Sequence, residues 1–369
     1  MRPLRFLVPG TTGRFRCGGL QVELQTARLI ASLRPTEVVT YRQRQADLPF
    51  LGDLLPQEAA PGQALWIVSW GFDVPKLLRQ LRGRPVAYHA HSSGYGFDLP
   101  PATPVLAVSR NTLGYWGDRS PRSPLFLVPN ALEPQWLERG DRAGAGPGLA
   151  AGPGDAGVPG DAARSAQARR RPIDVLVQRR KSSAYVLQIL VPALRARGLQ
   201  VVVQDGWVDD LVDLFNSAAV VLYDSADYWR GRGMSEGFGL PPLEALACGC
   251  VLFSSLNHAL ADSLDPGRLG HQIGAGTLEA DLEAITAAAA APGAWLPAPA
   301  ALAGLLASGS EEALLERWRG ALAAIDRHWQ RLEQGSLPLV SEPVWRQRWR
   351  QRSERLGRLK RLFAGRQGA

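Results

Sequence analysis

The chain has 369 residues, 46% of them apolar, and its 42 Lys and Arg against 34 Asp and Glu leave a formal charge of +8. That length exceeds what one hydrophobic core usually serves, so two domains are expected, and the apolar share is ordinary for a globular protein. Three cysteines (Cys17, Cys248 and Cys250) are too few and too poorly spaced for a zinc site or a disulfide framework, so they read as small buried thiols.

Arg2 and Arg5 are followed by only Phe6-Leu7-Val8 before Pro9-Gly10, too short an apolar stretch for a secretory signal, and a cytoplasmic location is expected. Residues 1–138 read as the first domain. Leu4 to Val8 is a strand, Cys17-Gly18-Gly19 a loop, and Leu20 to Leu33 a helix with apolar positions at 20, 24, 27, 30 and 33. This strand, glycine loop and helix put Gly18 and Gly19 at a helix N-terminus, an anion site; a loop that simply needs free φ stands beside it as the other reading. Apolar runs at Leu65–Ser69, Pro85–Tyr88, Val105–Val108 and Leu125–Val128 add strands of a parallel sheet with helices on its faces. His89-Ala90-His91-Ser92-Ser93-Gly94-Tyr95 falls at one strand end, where ligands of open α/β sheets collect; His91 is the candidate contact there, ahead of His89.

Residues 139–171 are Gly, Ala, Pro, Asp and Arg in no periodic order and read as a flexible linker or insertion. The second domain, residues 172–338, opens with the strand Ile173–Val177, then Gln178-Arg179-Arg180-Lys181-Ser182-Ser183 and a helix to about Arg197. Cations at that strand end face the ligand crevice, and Arg180 and Lys181 are preferred over Arg179. Further strands are expected at Leu199–Val203 and Val220–Tyr223; between them lie Trp207, Val208 and the segment Leu211–Ala218. The loop from Asp224 to Met234 carries Tyr228, Trp229 and Arg230, which suit either specificity or packing.

Residues 235–250 read SEGFGLPPLEALACGC, with Glu236 and Glu244 separated by seven residues. Pro241 and Pro242 suit the first positions of a helix, where a missing N–H costs nothing, and that helix should run to Gly249. Its N-terminal amides and positive dipole end form an anion site, and Gly237 and Gly239 let a ligand approach the backbone closely. Two carboxylates bracketing a phosphate-sized pocket accept from hydroxyls on either side of a diphosphate, a sugar and a ribose. The site reads as one for a nucleotide sugar.

This stretch resembles the retaining family-four glycosyltransferases, whose hallmark is two glutamates seven residues apart in an EGFGLPPLEA-like setting. The resemblance implies a GT-B architecture, α/β with two Rossmann-like domains facing across a cleft. It implies that Glu236 contacts the transferred sugar, that Glu244 contacts the ribose, and that the backbone of Phe238, Gly239 and Leu240 serves the diphosphate and sugar. Gly18 and Gly19 would face the diphosphate across the cleft, His91 would touch the sugar, and Trp207 or Val208 would flank the base. Arg180 and Lys181 would neutralise the leaving diphosphate, although the family spaces its Arg and Lys a few residues apart and here they are adjacent. No Asp-x-Asp motif stands at a strand end, so no metal and no cofactor beyond the donor substrate are expected.

The uncharged stretch Ala284–Ser310 is broken by Pro292, Gly293, Pro297 and Pro299 and reads as two helices around a turn, not a membrane span. Residues 339–369 form a basic tail in which Trp345 to Arg366 hold nine Lys or Arg against one Glu, the whole of the chain's net charge. Trp345, Trp349, Leu356, Leu359 and Phe363 fall on one helical face. Two readings stand: a final helix packed on the first domain, preferred for its first half, or a helix on an anionic membrane surface. The partners expected are a nucleotide-sugar donor and a hydroxyl acceptor, with no nucleic acid, since the basic charge sits in one tail without a recognised binding module. A nucleotide-sugar epimerase of the same architecture and a non-catalytic nucleotide-sugar-binding or membrane-docking protein remain as alternatives to a transferase.

Overall fold

The computed structural model describes residues 1–15, 17–57, 62–69, 71–140 and 171–364, the side chains of 14 and 358–364 excepted. Most of the expected linker, 141–170, lies outside the described residues. Two parallel sheets carry the fold, each with helices on both faces.

The first sheet has the order β2-β1-β3-β4-β5-β6, with β1 at Leu4–Val8, β2 at Thr36–Thr40, β3 at Leu65–Val68, β4 at Val86–Ala90, β5 at Val105–Ala107 and β6 at Leu125–Leu127. The second has the order β11-β10-β9-β7-β8, with β7 at Ile173–Gln178, β8 at Val201–Gln204, β9 at Ala218–Tyr223, β10 at Val251–Ser254 and β11 at His271–Gln272. Central strands β3 and β9 are buried along their whole length, as strands covered on both faces must be. The edge strand β2 has no apolar run: Thr36 and Glu37 precede Val38-Val39, and only Val39 and Thr40 are buried. Sequence periodicity therefore passes over it.

Strand order reverses direction between β1 and β3 in one sheet and between β7 and β9 in the other. At such a switch point the connecting helices go to opposite faces and leave a crevice beyond the carboxyl ends of the strands. The residues that follow β1, β3, β7 and β9 are Gly18-Gly19, Gly71-Phe72, Arg180-Lys181 and the loop leading to Glu236, and all of them line one cleft.

The helix Glu311–Glu333 departs from the expected domain division at residue 338. Its stripe of Leu314, Trp318, Ala321, Leu322 and Ile325 packs against Phe6, Ile67, Ala87 and Leu106, so it closes the core of the first sheet. Ser310 caps its start by accepting from the Ala313 amide at 3.2 Å, Arg34 pairs with Asp326 at 3.0 Å, and the Trp329 indole donates to the Val86 carbonyl at 3.1 Å. Packing against the first domain, expected of the basic tail, is thus supplied by this earlier helix. The tail helix Val344–Ala364 instead leaves Trp345, Trp349 and Leu356 largely exposed.

Candidate active site

A cleft of about 870 Å³ runs between the two sheets. The residues assigned to the donor site reach it: Gly18, Gly19 and His91 from the first domain, Arg180, Lys181, Trp207, Val208, Glu236, Gly237, Phe238, Gly239, Leu240 and Glu244 from the second; His89 and Arg230 do not line it. Arg179 instead turns to Asp205, 2.7 Å away on the exposed surface.

Glu236 is 4% exposed and is the best-compensated charge in the cleft. Lys181 Nζ donates to Oε1 at 3.1 Å and lies 3.3 Å from Oε2, while the Tyr223 hydroxyl and the Trp229 indole donate to Oε2 at 2.6 and 2.8 Å. Burial alone would raise this carboxyl; the Lys181 charge and the Tyr223, Trp229 and Lys181 hydrogen bonds outweigh it and hold Glu236 below its ordinary range. The ammonium also sits 4.7 Å from the centre of the Trp229 ring. Trp229 thus has a definite place in the Glu236 network.

Two non-glycine residues adopt left-handed backbone here, Lys181 with φ 70° and His258 with φ 53°, and both serve Glu236. The side chain of Lys181 binds its carboxylate, and the Nδ1 of His258 accepts from its amide at 3.3 Å. Such conformations cost on the order of 1–3 kcal/mol each and persist where the surroundings enforce them. Arg180, next to Lys181, is exposed to the cleft and forms no ion pair among the described residues.

The glycines divide into two kinds. A Cβ on Gly237 would lie 1.4 Å from the His91 carbonyl oxygen, and one on Gly239 (φ 87°) would lie 2.3 Å from Leu260. The protein's own packing requires both, independently of the ligand approach that the sequence suggested. Gly18 and Gly19 are different. Neither has positive φ, both lie in the first turn of the helix Gly18–Ile30, and a Cβ on Gly18 would meet open space while one on Gly19 would make only an ordinary contact with Cys17 Sγ at 4.0 Å. A loop needing free φ is therefore excluded, and the bare helix start faces the cleft.

The helix Leu240–Ala247 begins from Gly239 with prolines in its first turn, as its sequence requires. Glu244 in this helix borders the cleft only partly exposed. Burial pushes its carboxyl up to about 8, with the Glu133 carboxylate adding to the shift and Lys181 opposing it. Glu236 is thus held as an acceptor, whereas the upward push on Glu244 favours its protonated form near neutral pH, which both donates and accepts.

Behind His91 lies Glu23, which sequence reasoning passed over. Its Oε1 is 2.9 Å from both His89 Nδ1 and His91 Nε2, and Glu23 and His89 are each 1% exposed. The signal was legible: Glu23 shares the buried stripe of Leu20, Ala27 and Ile30, at a spacing where an acidic residue needs a partner. Also missed were Ser92, Ser93 and Ser235, which join the domains. Ser92 Oγ donates to the Ser235 carbonyl at 2.6 Å, and the Ser93 amide and hydroxyl reach Ser235 Oγ at 2.9 and 2.7 Å.

The state of Glu244 sets a pH signature for stability. The folded protein holds a proton that the unfolded chain sheds near 4.5, so the native state loses stability relative to the unfolded one as pH rises from about 4.5 to 8. Glu244→Gln removes that loss. Its melting temperature relative to the parent is expected to climb across this window and level off above it, as read by thermal unfolding; a difference independent of pH would contradict the assignment.

No protein-family model matches the chain, and no curated protein matches it in sequence. Solved structures do. HepE of Anabaena, in complex with UDP and glucose, superposes with a TM-score of 0.56 at 13% identity, covering 88% of this chain and 100% of that one. Sucrose-phosphate synthase from Thermosynechococcus elongatus gives 0.58 at 15% identity over 91% of this chain and 100% of that one. AviGT4, a glycosyltransferase involved in avilamycin A biosynthesis, gives 0.53 at 14% identity over 91% and 99%. With two Rossmann-like domains facing across a cleft, the chain has the GT-B fold that these proteins share.

Proposed function

We propose that the protein is a retaining, metal-independent glycosyltransferase that moves a sugar from a nucleoside-diphosphate donor to a hydroxyl acceptor. The observation that carries this reading is convergence: two helix N-termini, an exposed arginine, a lysine and a buried, ion-paired carboxylate, contributed by both domains, surround one cleft. HepE, of the same fold, has been solved with UDP-glucose, which supports a nucleotide-sugar donor here.

The diphosphate lies between the starts of the helices Gly18–Ile30 and Leu240–Ala247, with Arg180 and Lys181 taking up the charge that develops on the leaving group. These cations and amides do the work that a divalent ion does in other transferases. Trp207, 74% exposed and held by its indole to Asp209 at 3.0 Å, and Val208 flank the base at the mouth of the cleft. Glu244 takes the ribose hydroxyls.

Glu236 orients the sugar and supports the positive charge that grows at its anomeric carbon. It is poorly suited to act as a nucleophile, because Tyr223 and Trp229 fill Oε2 and Lys181 holds Oε1, which keeps one lone pair to accept from a sugar hydroxyl. The acceptor hydroxyl therefore attacks from the face the diphosphate leaves, and configuration is retained without a covalent enzyme intermediate. In a panel of nucleotide sugars assayed for diphosphate release, one donor is expected to turn over equally with and without a chelator. Glu236→Gln and Arg180→Ala should each lower that rate about 100-fold or more, the scale of a lost transition-state charge partner. Turnover unaffected by either change would sink the reading.

The reading includes a place of action, the cytoplasmic face of a membrane. Among the described residues no helix is long and apolar enough to cross a bilayer, but the tail helix exposes Trp345, Trp349 and Leu356 on an arginine-rich background. A basic helix with aromatic residues on one face gains about 1 kcal/mol per cation near an anionic surface, and salt screens that gain. Co-sedimentation with vesicles containing phosphatidylserine is expected at low salt and should be lost on deleting residues 339–369; retention by the truncated chain would contradict it.

A further inference from the structure

The mechanism leaves unused the buried trio of Glu23, His89 and His91. One carboxylate oxygen receives two imidazole nitrogens at 2.9 Å each. An ionised carboxylate only accepts, so both nitrogens must be N–H: Nδ1–H on His89 and Nε2–H on His91. Burial opposes the Glu23 charge, yet its two imidazole partners at hydrogen-bond distance hold the carboxyl below the usual range. Burial likewise lowers His89, against the pull of Glu23, and favours its neutral form.

A metal ion would use the same three atoms, which lie close enough together to ligate one. The surroundings do not suit it. A metal-bound imidazole ordinarily donates its second N–H to a partner, and the second nitrogen of His89, Nε2, is fully buried with no partner. As a bare lone pair it is tolerable; as an N–H it would be a buried unsatisfied donor. The Trp318 and His89 rings pack edge to face with their centres 5.1 Å apart.

We infer that Glu23 is a positioning residue: by taking the Nε2 proton of His91 it fixes that ring in the tautomer whose Nδ1 presents a lone pair to the cleft, where it accepts from a hydroxyl of the substrate. His91 lines the cleft with 16% of its side chain exposed, and its Nδ1 has no partner among the described residues. The His91 carbonyl is fixed as well, because it packs against Gly237 beside Glu236. Ring and backbone are therefore both immobilised next to the sugar-binding carboxylate. His89 takes the second lone pair of Glu23 Oε1 and keeps the carboxylate from rotating. The identity of the hydroxyl rests on the glycosyl-transfer reading; the tautomer does not.

The test separates the two. The chain has only five histidines, so long-range proton–nitrogen NMR spectra of histidine-labelled protein, assigned with His91→Asn, report the tautomer directly. His91 is expected to carry its proton on Nε2, and Glu23→Gln to shift it toward Nδ1. In the donor-turnover assay Glu23→Gln should lower kcat about tenfold or more, the value of one hydrogen bond made in the transition state, with little change in donor KM. His91→Asn keeps an acceptor near the Nδ1 position, so in that background Glu23→Gln should add no further loss. A proton on Nδ1 in the parent protein, an equal loss in both backgrounds, or one zinc bound per chain and lost in Glu23→Gln would each overturn the assignment. Failure of every nucleotide sugar to turn over would count against the transferase reading, and the spectra would still decide the tautomer.

Discussion

The structure depends on keeping one buried carboxylate charged. Glu236 is 4% exposed, and an ion left unpaired at that depth would neutralise itself or destabilise the fold. Its compensation comes from separate parts of the second domain: Lys181 just after β7, Tyr223 from the end of β9, and Trp229 from the short helix Ala226–Arg230 that follows. The charge is therefore satisfied only when β7 and β9 are paired at the switch point of the sheet, and the site assembles together with the fold. Lys181 reaches the carboxylate from a left-handed backbone that an ordinary surface lysine would not adopt.

The second constraint is the contact between domains. Gly237 meets the His91 carbonyl so closely that no side chain fits, and Ser92, Ser93 and Ser235 cross-link the loops on either side. Glu236 sits between Ser235 and Gly237, so whatever holds the domains together also sets the distance from Glu236 to His91. The helix Glu311–Glu333 adds a further tie: it belongs in sequence to the second half, yet it buries Trp318 in the first core, beside His89. One run of contacts thus links the first core, the Glu23 trio, the interdomain seam and the Glu236 network.

Much of this was legible in the sequence because the chemistry is concentrated in short runs. The Pro-Pro pair announces the helix Leu240–Ala247, and the strand ends at Val8, Ala90 and Gln178 announce where ligands collect. What escaped was relational. Glu23 is one acidic residue in an ordinary helix until β4 places two histidines over it, and Ser235 is unremarkable until Ser92 and Ser93 arrive from 142 or 143 positions away. Gly237 has a reason that its sequence did not show: its missing side chain makes room for the other domain's backbone. The basic tail misled on packing because its count of arginines outweighs a narrow apolar stripe, whereas Leu314, Trp318, Leu322 and Ile325 form a stripe broad enough to be buried.

The central claim is that both domains grip one nucleoside diphosphate, and calorimetric titration of UDP tests it most directly. Gly19→Val places a side chain at the first domain's helix start, where its Cβ meets only Cys17 Sγ at 4.0 Å, and Arg180→Ala removes a cation of the second. The account predicts saturable one-to-one binding that each substitution weakens about tenfold or more, roughly 1.4 kcal/mol apiece. Undiminished affinity in Gly19→Val would confine the ligand to the second domain, and the absence of binding by UDP and every other nucleoside diphosphate would contradict the account as a whole.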